Sequence, residues 1–115
     1  MNKLKRGEVW IVALDPTLGR EIRKTRPAVV ISNDINNECS DTVTVIPITS
    51  SLAKVYPFEV SVSKGEGGME RDSKAKADQI RTIDKQRLVR CIGFLSTAKI
   101  RALEHALSIH LDIQQ

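Results

Sequence analysis

Three apolar runs occupy the first half of the chain: residues 9–14, which include Trp10, residues 27–32 and residues 42–49. All contain β-branched residues, and none alternates cleanly with polar positions, which predicts strands buried on both faces. Phe58, Val60 and Val62 alternate with Glu59, Ser61 and Ser63, the pattern of a strand with one wet face. Residues 74–83 and 88–95 supply two more strand candidates. Pro47 cannot donate to a ladder, so an edge or a bulge is expected near the end of the third run. Turn signals fall at Asp15-Pro16 with Gly19, at Asn33-Asp34 with Asn36-Asn37, and at Lys64-Gly65-Glu66-Gly67-Gly68. The glycine cluster lacks the Gly-Lys-Ser/Thr ending of a phosphate loop and reads as a turn. After residue 95 the period changes. Ser96 is placed as an N-cap, and Ile100, Leu103, Ala106, Leu107 and Leu111 share one helical stripe, predicting a helix from Thr97 to Leu111. Five or six short strands followed by one helix predict a mainly β fold, a small and strongly bent barrel closed by its C-terminal helix.

Length and composition narrow the picture. A chain of 115 residues with 41% apolar content suits one domain, residues 1–115, with a real core. No apolar run approaches the roughly 20 residues of a membrane span. The basic start, Met1 to Arg6, leads to no long apolar stretch with a small-residue cleavage site, so a cytoplasmic protein is expected. Cys39 and Cys91 lie far apart without a CxxC pattern and read as two buried thiols. His105 and His110, five apart on a helix, point about 140° away from each other and disfavour a zinc site; no metal or other cofactor is expected. Catalysis, if any, falls to Arg, Lys, Asp, Glu, Ser or Thr.

Charge then suggests a partner. Residues 1–26 carry a balance of +4, residues 27–70 one of −4, residues 71–90 again +4, and the remainder is neutral. Two basic blocks brought together by the fold would attract a polyanion, nucleic acid first, while solvated charged faces account for the composition equally well. Aromatic residues are few, and Phe58 and Phe94 fit core strand positions better than stacking platforms. Gly19-Arg20-Glu21-Ile22-Arg23-Lys24-Thr25-Arg26-Pro27 is a charged loop running into a buried strand. Glu21 could accept a proton and Arg26, fixed by the following proline, could clamp phosphate oxygens. Thr49-Ser50-Ser51 places hydroxyls at a strand end, where they could equally cap their own backbone. Asp78-Gln79-Ile80-Arg81-Thr82 puts polar residues on both faces of a strand, which calls for a cleft or a hydrogen-bonded bulge.

Taken in order, Arg6-Gly7-Glu8-Val9-Trp10, Leu14-Asp15-Pro16-Thr17, residues 19–32, 45–50, 57–60 and 72–88, Ile92-Gly93 and the terminal helix resemble the MazF/PemK family of type II toxin–antitoxin toxins. The resemblance implies a small SH3-like barrel of the PemK/CcdB type with a C-terminal helix. It also implies a homodimer and a metal-independent endoribonuclease that cuts single-stranded RNA at a short sequence, inhibits translation and is neutralised by a cognate MazE-type antitoxin. By the same resemblance the catalytic arginine and threonine fall on Arg26 and Thr49, and a candidate base on Glu21. Arg20, Arg23, Lys24, Thr25, Ser50, Asp78, Gln79 and Arg81 fall along the RNA groove. Many members have a glycine-containing loop where this chain has Ile22-Arg23-Lys24. Two rivals are a gyrase-binding toxin of the same fold, with no use for the Glu21, Arg26 and Thr49 cluster, and an RNA-binding barrel without catalysis.

Overall fold

The computed structural model describes residues 4–114; Met1 to Lys3, the first half of the basic start, lie outside the described residues. Seven strands, β1 (Glu8–Ala13), β2 (Thr25–Val30), β3 (Thr42–Thr49), β4 (Glu59–Val62), β5 (Ser73–Lys76), β6 (Arg81–Asp84) and β7 (Leu88–Phe94), form an antiparallel sheet; six follow the order β4-β5-β3-β2-β1-β7, and β6 pairs with β3 off that path. A short helix, α1 (Asp34–Cys39), joins β2 to β3, and α2 (Thr97–Leu111) follows β7. No helix among the described residues is long and apolar enough to cross a membrane.

The long apolar runs are strands with two buried faces, as their lack of alternation requires. Val29, Ile46, Ile48, Val60 and Val62 pack with Leu103 and Ala106 of α2 in one core. Their neighbours Ala28, Val30, Val43 and Val45 join Val12, Leu14 and Ile83 in a second core on the opposite face. β3 bridges the two, pairing β6 through Thr42 to Val45 and β5 through Ile48 and Thr49. Pro47 sits in the gap between those ladders, opposite Ala28 of β2. It is therefore at a break in the ladder of a central strand, where a missing N–H does least harm. The predicted strand over residues 74–83 divides in the same way. A 3-10 turn, Ala77–Gln79, separates β5 from β6 so that each can meet its own half of β3.

The sheet curls until its ends touch without pairing. The glycine-rich turn after β4, containing the 3-10 segment Glu66–Gly68, lies against β7. A Cβ at Gly93 would fall 2.6 Å from the backbone carbon of Gly67, and one at Gly68 would fall 2.1 Å from the carbonyl oxygen of Ile92. Glycine is demanded here by the approach of two backbones. Helix α2 covers the open side. Ser96 caps it, its side chain accepting from Lys99 N at 3.2 Å, and its bounds match the predicted ones. Leu111, placed on the buried stripe by periodicity, is instead 50% exposed, at the last residue of the helix.

Other expectations are corrected. Residues 33–37 begin a helix: Asn33 accepts from Asn36 N at 2.8 Å as N-cap, and Asn37 is buried. Cys39 and Cys91 are exposed free thiols, Cys39 at the end of α1 and Cys91 on the outer strand β7. Phe94 is 75% exposed, since β7 is the sheet's edge and its outward face has no layer above it. Glu59, assigned to a wet face, is buried: Lys74 Nζ lies 3.1 Å from its Oε1 and Lys76 Nζ 3.0 Å from its Oε2. Burial pushes its carboxyl pKa up, but the Tyr56 N–H and the two lysines outweigh that and hold it below the ordinary carboxylate value.

Gly93→Ala should destabilise the fold by about 1–3 kcal/mol through overpacking, read as a lower denaturant midpoint at unchanged slope. Glu59→Gln leaves two lysines facing a neutral amide and should lose about 3 kcal/mol at neutral pH. A carboxyl depressed on folding stabilises fully above its unfolded pKa, and that contribution fades as pH falls through the folded value. The Gln variant should therefore lose less stability than the parent as the solution is acidified below the ordinary carboxylate range, as thermal melts across pH would record.

Candidate nucleic-acid interface

The charged loop between β1 and β2 is pinned at its base, along its length and from outside. Leu14 N donates to Lys24 O at 2.9 Å, closing the loop. Asp15 Oδ1 accepts from Lys24 N at 3.0 Å and from Thr17 Oγ1 at 3.2 Å. The Lys24 N–H, helped by Thr17, Arg23 and Lys24 charge, holds the Asp15 carboxyl below its usual value. That bond supports the left-handed backbone of Lys24, φ 69°, which a β-branched residue would resist. Glu21 Oε1 accepts from Leu18 N at 2.8 Å. Arg87 Nη1 donates to the carbonyls of Ala13 and Asp15.

Gln79 reaches the loop from across the sheet. Its Oε1 accepts from Ile22 N at 2.7 Å and its Nε2 donates to Arg20 O at 3.2 Å. The Ile22 side chain packs on the second core. The segment Ile22-Arg23-Lys24 is thus a loop anchored by an apolar side chain and a side-chain amide.

Two hollows flank this loop. The first, about 380 Å³, is lined by Arg26, Pro27 and Ser50 together with Ile11, Glu70, Arg71, Arg90 and Ile92. The second, about 410 Å³, brings together Leu18, Arg20, Glu21, Asp78, Gln79 and Arg81. Arg20 and Arg26 belong to the first basic block, and Arg71, Arg81 and Arg90 to the second, so the fold does bring the blocks together. Asp78 Oδ1 and Arg81 Nη1 are buried without a hydrogen-bond partner.

The site residues expected from sequence divide between these places. Arg26 heads β2, and its Nε donates to Arg23 O at 3.2 Å, which leaves the outer guanidinium nitrogens for an anion. Thr49 ends β3. The β2–β3 register pairs Ala28 with Pro47, and continuing it by two residues sets Arg26 across from Thr49. Thr49 Oγ1 accepts from Ser51 N at 3.3 Å, the backbone-capping role, while its hydroxyl proton stays free to donate. Ser50 shares the hollow of Arg26, whereas Glu21 faces the other one with Arg20, Asp78, Gln79 and Arg81. Arg23, Lys24 and Thr25 are exposed and line neither. Sequence reasoning passed over Arg71 and Arg90. No local signal marked them: only the pairing of β1 with β7 in the folded sheet sets Arg90 beside Ile11 and hence two strands from Pro27.

Comparison with known proteins bears on the family and the fold. Residues 5–111 match the family model described as the PemK-like, MazF-like toxin of type II toxin–antitoxin systems. The endoribonuclease MazF9 of Mycobacterium tuberculosis is 47% identical over 115 residues, spanning 96% of this chain and 98% of that protein. The crystal structure of MazF from Deinococcus radiodurans superposes with a TM-score of 0.85 at 24% identity, over 98% of this chain and all of that one. An endoribonuclease in complex with its cognate antitoxin, from a mycobacterial species, superposes at 0.78 with 22% identity, over 100% of this chain and 99% of that one. At those identities the two structures speak to the fold.

Gln79→Ala should release the loop while leaving the sheet intact. The Ile22 amide should exchange with solvent markedly faster, and global stability should fall by no more than about 1.5 kcal/mol, the net worth of an ordinary hydrogen bond. Unchanged protection at Ile22 would mean that the Ile22 side chain alone anchors the segment.

Proposed function

The chain belongs to the PemK-like, MazF-like toxins of type II toxin–antitoxin systems, and from that premise we propose that it is an endoribonuclease that cuts single-stranded RNA at a short preferred sequence by attack of the RNA's own 2′-OH. The observation that carries this reading is the convergence of Arg26 with further arginines on one concavity beside the end of β3, where Thr49 lies.

In this mechanism the 2′-oxygen bonds to the adjacent phosphorus as the bond to the 5′-oxygen breaks. One group takes the 2′-OH proton and another delivers a proton to the departing oxygen. The nucleophile is already part of the substrate, so orientation does much of the work, and the reaction needs no metal. Arg26 stabilises the charge that builds on the phosphorane oxygens; its guanidinium is too basic to serve as the proton acceptor. Thr49 donates its hydroxyl to a phosphate oxygen. Glu21 is the candidate acceptor, with Oε1 held by the Leu18 N–H; it lines the neighbouring hollow, so it serves the 2′-OH only where the bound strand spans both hollows. Arg20, Arg23, Lys24, Thr25, Ser50, Asp78, Gln79 and Arg81 form the groove along which the strand lies. A toxin of this kind acts on messenger RNA in the cytoplasm and stops translation.

Two partners complete the reading. A second copy of the chain would cover the apolar surface left on the β7 edge, where Val89 and Phe94 are exposed. Further apolar side chains are exposed at the end of α2, Ile109 and Leu111 among them, whereas Val9 and Val12 of β1 are buried within the chain. A cognate antitoxin, an acidic and partly disordered segment, would lie in the basic groove and exclude RNA.

Arg26→Ala and Thr49→Ala should each lower the cleavage rate by at least about 100-fold with size and circular dichroism unchanged, and Arg26→Lys should rescue poorly because a point charge cannot reproduce the guanidinium fork. Fragments should end in a 2′,3′-cyclic phosphate and a free 5′-hydroxyl, in EDTA as without it. A single deoxyribose at the cut should stop cleavage and leave binding nearly intact, since most affinity comes from phosphate contacts. A 5′-phosphate with a 3′-hydroxyl, seen by mass spectrometry, would identify water as the nucleophile and overturn the roles of Glu21, Arg26 and Thr49.

A further inference from the structure

The hollow that holds Arg26 contains two more guanidinium groups with no part in the chemistry above. Arg90 stands on β7 in a row that runs Pro27, Ile11, Arg90 across three strands, so its backbone lies two strand spacings from Pro27, roughly 10 Å. Arg71 enters from a third direction, on the turn before β5. Its backbone is held from both sides: Asp72 Oδ1 accepts from Lys64 N at 2.8 Å, and the buried Ser73 donates its hydroxyl to Arg71 O at 2.9 Å.

Four cations elsewhere are matched, Arg6 by Glu104, Lys74 and Lys76 by Glu59, and Lys99 by Glu66, while other arginines outside these ion pairs, Arg20 and Arg87 among them, do not share this hollow. Among the described residues none of Arg26, Arg71 and Arg90 forms an ion pair, although Glu70 lines the same hollow. Three like charges around one concavity repel one another until an anion lies between them, and low-dielectric walls focus their field on that anion. Here Ile11, Pro27 and Ile92 supply those walls. The planar fork of arginine matches phosphate oxygens in pairs.

We propose that Arg71 and Arg90 form a second phosphate subsite beside Arg26, gripping the RNA backbone at a phosphate next to the one that is cut. The inference rests on the endoribonuclease reading of the same hollow. Arg26 then serves the reacting phosphate, and the pair holds its neighbour, so that the strand enters at a fixed angle. The two added residues bind and position; they do not touch the reacting atoms.

The test uses the full chain and the RNA it cuts, once the cut has been mapped on one long transcript, with a single deoxyribose at that position to prevent cleavage. Affinity is measured from low to moderate salt for the parent, Arg71→Gln, Arg90→Gln, the double variant and the corresponding Lys variants, each checked for folding by circular dichroism. Each Gln substitution should weaken binding and reduce the magnitude of the slope of log K against log salt by about 0.7, the value for one phosphate contact on a single strand. The Lys variants should keep most of the slope. With cleavable RNA, the Gln variants should raise KM several-fold while kcat changes much less. An unchanged slope and affinity in the double variant, with the parent still cutting, would overturn the subsite and spare the enzyme reading. A fall in kcat at constant KM would also overturn it, by placing the arginines in the chemistry. If the parent cut none of the long transcript but bound it with a salt dependence that the Gln variants reduce, phosphate binding by Arg71 and Arg90 would stand and the endoribonuclease reading would fall.

Discussion

Two glycine-bearing backbones in contact hold the molecule in its curled form. Where Gly67 and Gly68 meet Ile92 and Gly93 there is no space for a side chain, and the turn after β4 is thereby locked to the far edge of the sheet. Everything on the candidate surface depends on that closure. Gly68, Met69 and Ile92 line the same hollow as Arg26, and Arg71 follows three residues after Gly68. Without it, Arg71 and Arg90 would belong to opposite ends of an open sheet. The local demand for glycine is thus a condition for the electrostatics of the groove.

The architecture was largely legible because its signal is thermodynamic and local. Apolar runs without alternation must be covered on both faces, and β1, β2 and β3 are, by two cores on opposite sides of the same strands. The terminal helix was readable from its cap and its stripe. What failed was every inference in which a residue's type stood in for its neighbours. Glu59 looked wet because it is a carboxylate, and it is buried because two lysines on the adjacent strand neutralise it. Phe94 looked like core and lies on an edge strand. Helix α1 was hidden because four of its six residues are polar and its Ile35 is exposed, so it carries no stripe, and capping by Asn33 is a signal shared with turns.

The candidate site was legible in part for a related reason. The catalytic roles of Arg26 and Thr49 were read from the family resemblance and not from spacing; what the apolar pattern supplied is the strands on whose facing ends they lie. Gln79 was picked out as a groove residue, and the structure gives it a second task, since its amide is committed to the loop. Arg71 and Arg90 were counted as charge and not as individuals. Their meeting depends on the sheet's curl, a long-range property that no short window of residues records.

The clamp made by Gln79 has a consequence for how binding free energy is used. A charged loop of this length, left slack, would surrender conformational entropy each time it closed on a ligand, and affinity would fall by that amount. Here the amide of one glutamine ties Arg20 and Ile22 to the turn between β5 and β6 as the chain folds. The ordering is therefore charged to folding, once, and the groove meets its ligand already shaped. For the RNA strand proposed as its ligand, such a groove would select by rejecting strands that do not fit its preset shape.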